Sequence, residues 1–340
     1  MISAVLAVAL AVALLASSIA GTPALVAGQT DDGTGAALPG PPSDCVIPRS
    51  AIDLTETPTP TLSPTATAIA DEASPDAAAS DRSTPATTAE TPAATVTPTV
   101  DPLTEELLSA STTITSCLTE RNVETFTAIT TDTYRGQQFG SDAPISAEVY
   151  AELAPTLLAV EYQIVELRDI TAVDATTVTA LVTYTVAYQQ RTSVWTFMQE
   201  RVDGLLAWVL ANEEAAPARI PDGASSLDVA IQDDAYTVSV QTTEGPGVAL
   251  NLSNADGEDH EALVLKLPIG TGTGVLLQNP GPALPDGVAF IGQSTVPAGS
   301  DGVLLLANLP PGIYTIVCLL PDENGLPHLS SGMEATFTVN

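Results

Sequence analysis

Among the 340 residues are two histidines, His260 and His328, and both fall in the last third of the chain. Cys318 lies ten residues before His328, and Met333 lies five after it. Imidazole, thiol and thioether are the side chains that bind transition metals. Each also has a plainer reading: a solitary His or Met in a β-rich region usually packs or faces solvent, and Cys318 can be an inert core thiol. Their grouping is harder to dismiss. Both histidines, one of three cysteines and one of the two methionines after the initiator share one region.

The residues around them supply an order. Asn254-Ala255-Asp256-Gly257-Glu258-Asp259 reads as a turn that delivers His260 to the head of a strand. Gly312 to Cys318 reads as another strand, then come a loop, His328 to Met333, and a last strand. This arrangement resembles the cupredoxin, or blue copper, family, in which an upstream His joins Cys, His and Met from the loop before the final strand. The resemblance implies one copper ion, with His260, Cys318 and His328 as equatorial ligands and Met333 as the axial one. Thiolate and imidazole hold both copper oxidation states, and a weak thioether sets the axial field. It also implies electron transfer with a redox partner protein; the chain's acidic charge fits either simple solubility or a partner that is basic. One departure bears on this. Nine residues separate Cys318 from His328, more than small electron carriers usually have. Turn residues Pro321-Asp322-Glu323-Asn324-Gly325 can fold the excess outward. Otherwise Cys318 and His328 miss a shared metal position and the domain is copper-free.

The elements that would carry these residues are strands. From about 222 to 340 the chain shows short apolar stretches at 227–231, 235–241, 247–253, 261–267, 301–307, 312–320 and 335–339, punctuated by Gly and Pro. That spacing predicts an all-β sandwich with Greek-key connections, cupredoxin-like in the terms of the resemblance. Asn251-Leu252-Ser253 fits a glycosylation sequon but falls within a predicted strand.

Residues 101–215 read differently. Asp101-Pro102 opens a helix whose stripe runs through Leu103, Leu107, Ala110, Ile114, Cys117 and Leu118. Helices follow at 123–129 and 147–158, the latter broken at Pro155. From Tyr162 the period becomes two, with Val178, Ala180, Val182, Tyr184 and Val186 on one face. A Trp195…Asp203-Gly204…Trp208 hairpin closes the run. Helices before a curled antiparallel meander is an α+β order. It resembles the nuclear transport factor 2-like superfamily, a cone-shaped fold that recurs in enzymes, dimerisation modules and binding modules, which implies homodimerisation, ligand binding or an enzyme acting on a small apolar ligand. No catalytic motif accompanies it; Asp132, Asp169 and Asp174 read as solvated carboxylates.

The chain as a whole is thus expected to be multidomain, an α+β cone-shaped domain followed by the sandwich. Residues 28–100 form an extended segment and a Thr/Pro/Ala-rich linker. Residues 1–27 form a signal peptide or uncleaved N-terminal anchor, with an apolar run from Ala4 to Ala16. Both point to an extracytoplasmic protein, secreted or held at the envelope, that meets a membrane only through that segment. Cys45 and Cys117 are then the natural disulfide candidates, leaving Cys318 over, although two unpaired thiols are also consistent. With 41 acidic against 9 basic residues, net charge −32, nucleic acid is excluded as a partner. Two histidines are too few for the trinuclear cluster of a multicopper oxidase. An electron carrier or binding protein therefore fits better than an enzyme. The alternative is a copper-free or copper-storing cupredoxin-like module in the cell envelope, with the central domain taking a small ligand.

Overall fold

The computed structural model describes residues 44–52, 101–278 and 283–340. The candidate export segment and the Pro-rich stretch between 53 and 100 lie outside the described residues. Among those described, no helix is long and apolar enough to cross a membrane.

Helix α1 (Pro102–Glu120) begins at its proline, whose fixed φ suits the first turn. Asp101 holds the extended N-cap backbone but its side chain makes no capping bond. The buried face of α1 carries Leu107, Ala110, Ile114 and Cys117, together with Ser111 and Thr115. The two hydroxyls are satisfied by the carbonyls of Leu107 and Ser111, 2.8 and 3.1 Å away. Helices α2 (Val123–Ala128), α3 (Asp132–Gln137) and α4 (Ala147–Leu153) are capped by Asn122, Thr131 and Ser146. Pro155 ends α4 in a short 3-10 turn at Ala154–Thr156.

Strands β1 (Tyr162–Ala172), β2 (Thr177–Val186), β3 (Gln189–Val202) and β4 (Leu205–Ala215) form an antiparallel meander against these helices. The β3–β4 turn puts Asp203 and Gly204 at positive φ, 52° and 82°. Trp195, Phe197, Trp208 and Leu210 join Phe126, Tyr134 and Tyr150 in one core. Cys45 and Cys117 form a disulfide that fastens the 44–52 segment to α1. Glu106 holds the same segment by accepting bonds from Ser50 Oγ and the Ala51 amide, both 2.7 Å.

The remaining strands pair into two layers. β5 (Ser225–Gln232), β6 (Ala235–Val238), β8 (Val248–Asn254) and β11 (Asp301–Leu306) lie in order β11-β8-β5-β6. β7 (Thr242–Thr243), β9 (His260–Lys266), β10 (Ala289–Val296), β12 (Gly312–Val317) and β13 (Glu334–Val339) lie in order β10-β9-β12-β13-β7. Leu227, Val229 and Ile231 alternate inward along β5 and meet Val264, Ile316 and Phe337 from the facing layer. This is compatible with a cupredoxin-like sandwich. β9 is buried on both faces, because α5 (Gly274–Gln278) places Leu276 over Leu263 and Leu265 on its outer side.

Besides the short helices α3 and α5, which the sequence pattern does not signal, two features differ from expectation. β10 is a strand that the pattern hides, since Gly292 interrupts it. Glycine is required there by close approach: an added Cβ would lie 2.8 Å from Leu306 Cδ2 and 3.0 Å from Gln189 Cβ. The second is continuity between the two parts of the chain. β3 pairs with β11 at Gln189 and Leu306, so one eight-stranded sheet runs from the meander into the sandwich.

Candidate metal centre

His260 is the first residue of β9, and the turn before it is built by Asn254. The Asn254 amide donates to the carbonyls of Glu258, Val296 and Pro297 at 2.9 to 3.2 Å, and its Oδ1 accepts the Asp256 amide at 2.9 Å. Thus a buried Asn holds the Asx-type turn that aims the histidine. His260 Nε2 meets Asp256 Oδ2 at 3.1 Å. Partial burial works against ionisation of Asp256, but the Asp233 and Asp234 amides and His260 outweigh it and hold its carboxyl below the usual range.

Cys318 follows directly on β12, and its side chain is fully buried. Its sulfur receives the Glu261 amide at 3.4 Å. Burial, the largest cause, pushes its thiol up to about 11. His328 opens the 3-10 turn His328–Ser331, and Met333 follows that turn. The segment is stitched closed by the backbone. Leu329 N donates to Cys318 O at 2.9 Å, Cys318 N to Met333 O at 3.3 Å, and Met333 N to His328 O at 3.2 Å.

The long Cys318–His328 interval resolves as an outward excursion. Pro321 and Pro327 form an antiparallel bridge at its neck. Asp322 Oδ1 accepts from Asn324 N at 2.8 Å and Leu326 N at 2.9 Å, and Gly325 takes φ 78°. His328 N then bonds Leu320 O at 3.0 Å, which returns the chain beside Cys318. The extra residues therefore fold on themselves and leave the ends together.

The result is convergence. His328 Nδ1 lies 3.4 Å from Cys318 Sγ and His260 Nδ1 lies 3.9 Å from it. One nitrogen from each ring and the sulfur all fall within 4.8 Å of one another. An ion with bonds of about 2.3 Å to sulfur and about 2.0 Å to nitrogen can bridge the two sulfur–nitrogen separations of 3.4 and 3.9 Å. The rings' other nitrogens face outward, His260 towards Asp256 and Asp234, His328 towards Glu258 at 3.7 Å without a hydrogen-bond partner. Met333 is fully buried and belongs to the same apolar cluster as Cys318. Two imidazoles and a cysteine sulfur converging in a buried site suit copper by donor chemistry. Asn251, by contrast, spends its side-chain amide on Ser226 and Asp228, both 2.8 Å away.

Sequence reasoning missed Glu261. It is 3% exposed, on the covered outer face of β9. Burial raises its carboxyl to about 7, opposed by a bond from the Leu319 amide. Tyr236 OH donates to its carbonyl. Its place beside His260 is visible in the sequence, but nothing in the strand pattern marks a buried acid.

No family model and no curated protein matches the chain. Among solved structures, auracyanin B is similar at 22% identity and TM-score 0.26, covering 34% of this chain and 89% of that one. Reduced auracyanin from the photosynthetic bacterium Roseiflexus castenholzii is 20% identical at TM-score 0.25, covering 35% and 99%. A multicopper oxidase from Pediococcus acidilactici is 11% identical at TM-score 0.23, covering 44% and 35%. At these scores the site's chemistry rests on its own geometry.

Proposed function

We propose that the chain binds one copper ion between His260 Nδ1, Cys318 Sγ and His328 Nδ1, with Met333 as a weak fourth donor, and that it transfers electrons outside the cytoplasm. The observation that carries this is the convergence of three donor atoms from three separate segments in a buried pocket. Copper held there would supply a one-electron centre, and the His2Cys set with a distant thioether suits both of its oxidation states. The protein's own part is to fix the donors. Asn254 sets the turn behind His260, and the backbone bonds between Cys318 and Met333 hold the loop. Apolar neighbours keep water away.

The outward ring edges are bordered by Asp234, Asp256 and Glu258. With the strongly acidic chain, this favours a redox partner that presents positive charge. The Cys45–Cys117 disulfide supports an oxidising, extracytoplasmic location. For residues 101–215 we retain the nuclear transport factor 2-like reading, supported by helices packed on a curled antiparallel sheet. An open cleft of about 670 Å³ that touches Tyr134, Tyr184 and Trp195, and also Phe290 and Gln293 of the sandwich, offers room for a small ligand between the two parts.

Metal analysis and a visible spectrum of the full chain test the copper reading. One copper per chain and an intense thiolate-to-copper band are expected, and Cys318→Ser should abolish the band. Zinc in place of copper, or an unchanged spectrum in Cys318→Ser, would overturn the assignment and leave a redox-silent binding module.

A further inference from the structure

The tip of the β2–β3 hairpin sits between the two layers of the sandwich. Tyr188 N donates to Ile291 O at 3.2 Å on β10, while Tyr188 O accepts from Ala307 N at 2.7 Å beyond β11. The next residue, Gln189, is buried and makes a reciprocal pair with the backbone of Gln293. Its Nε2 donates to Gln293 O at 2.9 Å, and its Oε1 accepts from Gln293 N at 3.1 Å. An amide side chain used this way replaces a missing strand neighbour, satisfying both backbone groups of Gln293 at a layer edge.

From Gln293 the contacts lead to the metal centre. Gln293 Nε2 donates to Glu261 Oε1 at 2.5 Å. The Glu261 carboxylate also accepts the amide of Leu319, the residue after Cys318. The Glu261 amide in turn donates to Cys318 Sγ at 3.4 Å. Glu261 thus grips the cysteine from two sides, and Gln293 grips Glu261. Gly292 lets β10 approach Gln189 closely enough for this arrangement.

We infer that Gln189, a residue of the neighbouring α+β part of the chain, is a positioning residue for the metal centre, acting through Gln293 and Glu261 on the hydrogen bond to Cys318 Sγ. The inference rests on the copper reading for its effect on potential. Hydrogen bonding at the cysteine sulfur is one of the factors that tune a His2Cys copper potential. A donor to the thiolate draws electron density away from the metal and favours the reduced ion. Loosening it therefore lowers the potential. The two parts of the chain are then one redox unit, in which the docking of the first sets the second.

The test uses the full chain and two isosteric variants, Gln189→Met and Gln293→Met, with their double mutant. Copper stoichiometry should stay at one per chain, while each variant lowers the potential and shifts the thiolate band. The double mutant should lower the potential by less than the sum of the two, as expected for members of one chain of contacts. Full copper loading with unchanged potential in both variants, or strictly additive shifts, would overturn the inference. A second readout needs no metal. In the copper-free chain, the amide resonances of Glu261 and Leu319 should move in Gln189→Met. If the parent binds no copper but those resonances move, the metal assignment fails while the linkage stands. If they stay fixed, the linkage fails whatever the metal result.

Discussion

At the residue scale, the centre separates roles that residue type alone leaves mixed. His260 and His328 turn Nδ1 towards Cys318 Sγ and Nε2 towards the acidic side chains Asp256 and Glu258. In the proposed copper site Cys318 would supply the strong bond, and Met333, buried in the same apolar cluster, the weak one. A thioether is a weak donor, so Met333→Leu should retain copper while making the site more apolar. Loss of that donor destabilises Cu(II) relative to Cu(I), and the potential should rise. A tenfold weakening of Cu(II) relative to Cu(I) corresponds to about 59 mV for a one-electron couple. Voltammetry of the purified variant measures this. A fall in potential, or loss of the metal, would show that Met333 serves the site in another way.

At the element scale, placement of the donors depends on backbone features that differ in how visible they are. The turn before His260, the strand ending at Cys318 and the outward Pro321–Gly325 excursion could be read from Asn, Gly, Pro and β-branched spacing. The same held for α1, broken α4 and the Asp203-Gly204 hairpin, because each has a local signal. α3 is six residues long, too short for a helical period to show. β10 was hidden by Gly292, and Glu261 by lying on a face that α5 covers only in three dimensions. These are non-local effects. Gly292→Ala tests the tight approach of β10. The new methyl would press on Leu306, itself fully buried, and on Gln189, at the distances given above. Overpacking of this kind typically costs about 1–3 kcal/mol. Denaturant unfolding should show that loss with an unchanged m-value. A neutral result would show that the layers can separate at β10 without cost.

At the scale of the whole molecule, the question is whether the two regions behave as one body. Pro217, Pro221 and Gly223 mark a linker in the sequence between Ala215 and Ser226, and in the structure residues 216–224 join β4 to β5, with Pro217 to Gly223 exposed. Such a segment invites proteolysis, and from sequence the fragments on either side would be expected to part. The pairing across that boundary argues otherwise. Tyr188 and Gln189 exchange four hydrogen bonds with β10 and the residue after β11, and Phe290 packs against the core of the α+β part. Each bond contributes only about 0.5–1.5 kcal/mol net. Effective concentration in one chain, however, greatly favours such an association, so cleavage is a severe test of it. After a nick confined to 216–224, the two fragments should elute together from a sizing column in dilute buffer. They should separate only when denaturant is added. Co-elution that survives in the parent but fails in Gln189→Met would assign the docking to the hairpin tip. Separate elution of the nicked parent would instead mean that the eight-stranded sheet is held by the linker rather than by its own contacts.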